Sequence, residues 1–365
     1  MNDGRREPRP VIVPLGGFLG AGKTTLLLSA ARVLRAQGMR VAAVLNDQGD
    51  DLVDTRLVEE HGVPAGQVAG GCFCCRFSDL IDALERLRAY RPDVIFAEAV
   101  GSCTDISATT LQPLKRDYAD RYRLAPFSVL ADPARANDLR GADADPDLAF
   151  LFRNQVAEAD LVCFTKSDLE VKAPYMPGAP VRSLSAATGQ GVAEWLGEIL
   201  AGELEVGRNL LEIDYARYAQ AEAALSWLNC RAVLRLQEPL SPAALVGPLL
   251  DKFDAAATDA GLRVVHAKLM DECATGYIKA STCGNGEEPR VEGALDASPA
   301  VMHELRWNIR AVAGPDELRR IVEKLVASLA GEIEIRSLQC FRPAAPKPER
   351  RMSTVASRAF PKTAG

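Results

Sequence analysis

The chain is short of histidine, of net positive charge and of long apolar runs, and each shortage removes a class of function. Three histidines in 365 residues, His61, His266 and His303, cannot make a histidine-based metal store. With 43 Lys and Arg against 49 Asp and Glu the net charge is -6, which argues against a nucleic-acid binder, whose affinity would rest on a basic face neutralising phosphates. No apolar run approaches the roughly 20 residues of a membrane-spanning helix. Residues 1–10 are polar and do not resemble a signal peptide. The expectation is a cytoplasmic protein in a reducing compartment, without membrane or nucleic-acid partners. Its nine cysteines are then thiols, metal ligands or core residues rather than disulfides. An apolar fraction of 48% and a charged fraction of 25% are ordinary for a globular protein, and the length predicts two domains.

What is present begins with Gly16-Gly17-Phe18-Leu19-Gly20-Ala21-Gly22-Lys23-Thr24-Thr25, after the apolar run Val11-Ile12-Val13 and before a helical run over 26–37. Residues 17–24 fit G-x-x-x-x-G-K-[ST] in the strand-to-helix context that a phosphate-binding loop needs. Gly17, Gly20 and Gly22 omit the β-carbons that would keep backbone N–H groups, that of Ala21 included, from curling around phosphate oxygens at a helix N-terminus. Lys23 then neutralises the β- and γ-phosphates, the Thr24 hydroxyl is placed for Mg²⁺, and Thr25 lies beside the α-phosphate. Pro14 sits where a central strand should donate a hydrogen bond, so a bulge at the strand end is expected there.

Further apolar runs follow at residues 41–45, 94–97, 127–131 and 161–164, of the kind found in parallel strands buried on both faces. Helical patterns over 79–90, 109–121 and 148–159 separate them. This alternation predicts an α/β fold, a doubly wound, mostly parallel P-loop NTPase sheet, with ligands past the carboxyl ends of its strands. Asn46-Asp47-Gln48-Gly49-Asp50 closes the run at 41–45 and Glu98-Ala99-Val100-Gly101 the run at 94–97. A carboxylate and a glycine three residues later suit a loop sensing Mg²⁺ and the γ-phosphate, Glu98 toward the metal and the Gly101 N–H toward phosphate. Thr165-Lys166-Ser167-Asp168 closes the run at 161–164. The Asp168 carboxylate can accept from guanine's ring N–H and amine while the Lys166 stem covers the ring, which favours GTP over ATP. Thr165 stands where asparagine is usual. The small residues Ser185 and Ala186 open the loop expected near the guanine carbonyl.

Gly70-Gly71-Cys72-Phe73-Cys74-Cys75 lies between the runs at 41–45 and 94–97. Three thiols within four residues, after two glycines that permit a tight turn, suit a soft metal ion better than a core. Zn²⁺ leads, and three sulfurs leave the fourth position open to a carboxylate such as Asp47, a thiol such as Cys103, water or a partner protein. An open position suits delivery more than permanent structural binding.

Together GGFLGAGKTT, NDQGD, GGCFCC, EAVG, TKSD and SAATGQGV resemble the CobW-like P-loop GTPases, metallochaperones related to the nickel-enzyme maturation GTPases, over about residues 10–200. The resemblance implies GTP hydrolysis to GDP coupled to loading or release of a metal for a client metalloprotein or a cofactor-maturation enzyme. It implies Lys23 and Glu98 as catalytic groups, Thr24 and Glu98 on Mg²⁺, and Cys72, Cys74 and Cys75 on the metal, Zn²⁺ with Co²⁺ or Ni²⁺ as alternatives. Asp47 stands where the family has a longer switch glutamate, and Ser102-Cys103-Thr104-Asp105 replaces a more apolar sequence. Relatives dimerise with nucleotide, which makes a homodimer one expected assembly.

The second half predicts a smaller α+β, ferredoxin-like domain, assigned to client recognition on analogy. The expected boundaries are 8–205 for the GTPase domain, 206–229 for a linker ending in a helix with Tyr215, Tyr218, Leu225 and Leu228 on one face, 230–342 for the second domain, and 343–365 for a disordered basic tail. Two competing functions share the P-loop, a small-molecule kinase and a nucleotide-gated adaptor or metal sensor. The pairing of residues 165–168 with 185–188 argues against the kinase.

Overall fold

The computed structural model describes residues 9–49 and 52–356, which divide into two compact units. The first comprises Met1–Asp47, Leu57–Tyr218 and Pro346–Gly365, and the second Gln48–Arg56 and Ala219–Ala345.

The first unit is an α/β layer structure. Its strands are β1 (Val11–Gly17), β2 (Val41–Asn46), β3 (Ala65–Val68), β4 (Val94–Glu98), β5 (Arg123–Leu124), β6 (Ser128–Ala131), β7 (Leu161–Phe164) and β8 (Val181–Ser183). They run in the order β3-β2-β4-β1-β6-β7-β8, with every pairing parallel and β5 a short addition beside β1. The interior strands are buried along their length, as continuous apolar runs require. Helices Lys23–Ala36, Phe77–Leu87 and Pro146–Ala157 stand close to the expected positions. The pattern over 109–121 resolves instead into a wide π turn, Ser107–Leu111, followed by the short helix Gln112–Asp117. β3 was not expected. Ala65-Gly66-Gln67-Val68 carries no apolar run and is only half-buried at the sheet edge.

Pro14 makes no bulge. β1 pairs with β4 in unbroken register from Val11↔Val94 to Leu15↔Glu98. On the other side β5 covers Val11 and Ile12, and β6 begins only at Leu15. Ile12 presents its carbonyl to that second side, accepting from Ala125, so Pro14, two residues on, lacks its N–H where neighbour pairing is interrupted. At the end of the strand Gly17 has φ +126°, and a β-carbon there would lie 2.3 Å from the Leu130 carbonyl oxygen. Only glycine fits that close approach.

The second unit is antiparallel: β9 (Leu225–Leu240), β10 (Arg263–Cys273), β11 (Gly276–Thr282), β12 (Arg290–Gly293), β13 (Ala300–Val312) and β14 (Glu332–Phe341). The order β14-β9-β13-β10 is ferredoxin-like, with the β11-β12 hairpin extending the β10 edge. Helices Pro242–Asp259 and Pro315–Ala327 share one core with the sheet, through Leu249, Phe253, Leu318 and Val322 against Leu234 and Trp307. The expected linker is corrected. The helix Tyr215–Ala223 ends before Leu225 and Leu228, which open β9. Residues 206–208 belong to the first unit, because Asp160 accepts from the Gly207 amide at 2.7 Å and Gly207 accepts from Gln112 at 2.6 Å.

The segment Gln48–Arg56 is counted with this second unit although the sequence places it just after β2. Asp54 is ion-paired with Lys268 at 2.5 Å, and Val53 N–H donates to Asn308 Oδ1 at 3.0 Å. Burial alone would raise the Asp54 carboxyl, but Lys268 and Lys279 together hold it well below the usual carboxylate range. No helix among the described residues is long and apolar enough to cross a membrane.

Trp307 meets Phe253 edge-on at 5.2 Å and is fully buried. Trp307→Ala is expected to destabilise the protein by about 3–5 kcal/mol, read as a lowered midpoint in urea denaturation of the full chain.

Candidate nucleotide and metal site

The P-loop closes β1 and leads into the helix Lys23–Ala36. Gly20 and Gly22 take left-handed φ values of +78° and +86°. The Lys23 ammonium folds back to donate to the Gly17 carbonyl at 2.9 Å, so it lies inside the loop's own curve. Thr24 donates its hydroxyl to Glu98 Oε1 at 3.0 Å. The β1–β4 register sets this pair, since it puts Glu98 beside Leu15, nine residues before Thr24. Thr25 follows, half-buried, in the first helical turn. Gly101 packs on Leu19, whose Cδ2 would lie 2.6 Å from any β-carbon added there.

The base-side residues come together from three loops. Thr165 Oγ1 donates to the Ala21 carbonyl at 2.8 Å, so the threonine ties its loop to the P-loop. Lys166, with φ +56°, is ion-paired with Asp132 at 2.5 Å. Ser185 donates to Asp168 Oδ1 at 2.6 Å and accepts from Thr188 N–H at 3.2 Å, with Ala186 half-buried next to it.

The thiols lie on the loop between β3 and the helix Phe77–Leu87. Asn46, the last residue of β2, shapes that loop: it donates to the Val68 and Gly71 carbonyls at 2.9 and 2.7 Å and accepts from Phe73 N–H at 2.8 Å. Cys72, Cys74 and Cys103 have sulfurs all within 4.8 Å of one another, and the three residues are 2%, 1% and 3% exposed. Cys75 stands outside that mutual set, with its sulfur 3.4 Å from Cys72 and 3.6 Å from Cys74. Asp47, expected as a possible ligand, is not among these mutually close atoms. Cys103 raises the thiol pKa of both Cys72 and Cys74, and Cys72 pushes Cys75 up to about 11. Crowded thiols resist ionising beside one another, and a soft divalent cation removes that resistance by holding them as thiolates. The donor set therefore fits such an ion.

Cys103 belongs to a loop held from several sides. Gln155 donates to the Gly101 and Cys103 carbonyls at 2.9 and 3.0 Å, and Tyr218 accepts from Thr104 N–H at 3.1 Å. The buried Glu158 carboxyl takes Ser107 N–H at 2.9 Å and lies 3.0 Å from the Thr104 hydroxyl. Asp105, at φ +65°, accepts from the Tyr215 hydroxyl at 2.6 Å and from Arg351 at 2.8 Å. Sequence reasoning missed this support. Its only signal is Gln155 and Glu158, three residues apart at the end of the helix Pro146–Ala157.

The tail is not free as far as residue 356. Lys347 N–H donates to the Cys75 sulfur at 3.1 Å and Glu349 N–H to the Cys74 carbonyl at 2.9 Å. The Glu349 carboxylate takes the Ser78 amide at 3.0 Å, near the start of the helix Phe77–Leu87, where a negative charge is favoured. Arg350 lies over the Phe77 ring at 5.0 Å, and Met352 N–H reaches the Ala108 carbonyl at 3.0 Å. This strap spans the thiol loop and the segment after Cys103. Residues 357–365 of the expected tail, and Asp50, lie outside the described residues.

Two outcomes follow from this geometry. Burial pushes Glu158 up to about 8 from an ordinary 4.5, with the Ser107 amide opposing and Asp105 adding to the rise. The folded state therefore binds this proton more tightly than the unfolded chain, so the stabilisation is complete below about 4.5 and is lost as pH rises toward about 8. Glu158→Gln, which mimics the neutral form, should flatten the decline in melting temperature between pH 5 and pH 8. Ending the chain after Ala345 should speed alkylation of Cys75 about tenfold, the equivalent of roughly 1.4 kcal/mol of lost docking, measured by mass spectrometry after iodoacetamide.

Residues 10–176 match the CobW/HypB/UreG nucleotide-binding domain family. The zinc chaperone YjiA of Escherichia coli is 29% identical over 167 residues, covering 44% of this chain and 50% of the relative. The zinc chaperone CobW of Pseudomonas aeruginosa is 27% identical over 186 residues, covering 42% and 47%. The chain thus spans about half the length of the curated relatives it matches. Among solved structures, HypB from Helicobacter pylori in complex with nickel aligns with 18% identity and a TM-score of 0.40, covering 57% of this chain and 92% of that one.

Proposed function

We propose that this chain, whose residues 10–176 match the CobW/HypB/UreG nucleotide-binding domain family, is a GTPase that binds Zn²⁺ through cysteine thiolates and passes it to a client. GTP lies along the P-loop, with Gly17, Gly20, Ala21 and Gly22 turning N–H groups to the phosphates and Lys23 swinging from the Gly17 carbonyl to the β/γ-phosphates. Mg²⁺ takes Thr24 and Glu98, which already meet at 3.0 Å. Asp168 reads guanine, positioned by Ser185. Gly101 offers its N–H to the γ-phosphate. The names of the relatives, both zinc chaperones, support zinc as the cargo. The ferredoxin-like unit is the docking surface for the client, and a nucleotide-dependent homodimer is the assembly in which turnover rises.

One observation carries this reading: Cys72 and Cys74 share a sulfur cluster with Cys103, which lies five residues past Glu98 on the loop that would sense γ-phosphate. Hydrolysis that moves this loop changes the geometry of the thiol site, and with it metal affinity.

The test is zinc titration of the wild type and of Cys72→Ser, Cys74→Ser and Cys75→Ser, each with GDP and with a non-hydrolysable GTP analogue. The expected result is a difference in wild-type affinity between the two nucleotides and loss of tight binding in the Cys72 and Cys74 variants. Equal affinity in both states removes the coupling. Asp168→Asn should weaken GTP binding about 10- to 100-fold, as expected for a lost hydrogen bond to a charged group worth about 1.5–3 kcal/mol, and ATP competing as well as GTP would refute guanine recognition.

A further inference from the structure

The geometry points to Cys103 as a metal ligand, completing with Cys72, Cys74 and Cys75 a four-sulfur site in which one sulfur comes from the loop after β4. The inference rests on the thiolate site proposed above and deepens it. A Zn²⁺ with four sulfurs at about 2.3 Å needs sulfur–sulfur edges of about 3.8 Å. Here Cys72, Cys74 and Cys103 form one triangle, every edge of it no longer than 4.8 Å. Cys72, Cys74 and Cys75 form a second, with edges of 3.4 Å and 3.6 Å at Cys75. The two triangles share the Cys72–Cys74 edge. Two faces hinged on a common edge are half of a tetrahedron, and closing them about an ion brings Cys75 and Cys103 to its remaining corners.

The surroundings suit a closed site. Cys72, Cys74 and Cys103 are at most 3% exposed, so three of the four sulfurs are out of contact with bulk solvent. Asp47, the carboxylate that the sequence offered as a fourth ligand, is not among the ligand atoms brought together. On the exposed side the Cys75 sulfur accepts the Lys347 amide at 3.1 Å, a bond that suits a thiolate carrying negative charge onto the metal. Cys103 is fixed independently of the other three: its N–H donates to the Val100 carbonyl at 3.0 Å and its carbonyl accepts from Gln155 at 3.0 Å. A loop that shifts with nucleotide would thus withdraw one sulfur and leave three.

Zinc K-edge X-ray absorption on the full-length protein loaded with one equivalent of Zn²⁺ tests this directly. The wild type should show four sulfurs at about 2.3 Å, and Cys103→Ser three sulfurs and one lighter atom, with zinc affinity lower by at least about tenfold. Cys163→Ser, a buried thiol on β7 far along the sheet order, should keep all four. If serine in so buried a place prevents folding, Cys103→Ala gives the same reading, and the wild-type count alone already decides against the proposal if it is three or fewer. The same three sulfurs in wild type and in the Cys103 variant overturn the role of Cys103 and leave the thiolate chaperone reading standing. Zinc held without any sulfur overturns both.

Discussion

The pairing of β1 with β4 is the constraint on which the first unit depends. Its register sets Leu15 against Glu98, and from that single alignment two loops leave the sheet side by side. One curls into the P-loop and returns Thr24 to Glu98. The other runs through Gly101, packed on Leu19 of the P-loop, to Cys103. A slip of one residue would turn every side chain of β4 to the opposite face and separate all three meetings. Proline inside so central a strand is tolerated because its missing donor falls where the second neighbour changes from β5 to β6.

The loop between Gly101 and Ser107 carries an unusual amount of buried polarity for a connection between strands. Thr104, Asp105 and Ser107 are all buried, as are Gln155 and Glu158, which support them. Each bond in such a network contributes about 1 kcal/mol when satisfied and costs more when broken, so the loop has few intermediate arrangements. Asp105 in the left-handed region adds backbone strain of order 1–3 kcal/mol that Tyr215 and Arg351 must offset. A loop built this way holds one position or abandons it together.

Much of the first unit was legible in the residues. The phosphate loop and four strands of continuous apolar residues declare themselves by local pattern, and their alternation with helices implies a parallel, doubly wound sheet, though not its strand order. The ferredoxin-like order of the second unit was also readable. β3 escaped because an edge strand of Ala, Gly, Gln and Val buries too little to impose a period. Leu225 and Leu228 read as one face of a helix, but they open a long strand in which Leu228 begins the inward row that continues at Cys230 and Leu234; pairing on both sides outweighed local spacing. Cys103 has no sequence relation to Cys72 and Cys74, since only folding of the two loops brings the sulfurs together. The segment Gln48–Arg56 shows the same limit, because its partners Lys268 and Asn308 lie more than two hundred positions further on.

The strap was hidden for a different reason: prolines and excess positive charge describe a solvated tail, whereas residues 347–352 are held by three main-chain amides and by the side chains of Glu349, Arg350 and Arg351, whose partners lie far away in the sequence. Its separation from its docking site also orders events in time. The Lys347 amide and the Cys75 sulfur lie 272 positions apart, so a ribosome making this chain releases the thiol loop, and the strands around it, long before the segment that covers them. The nascent protein therefore carries the Cys75 sulfur without its Lys347 donor until translation has passed residue 347.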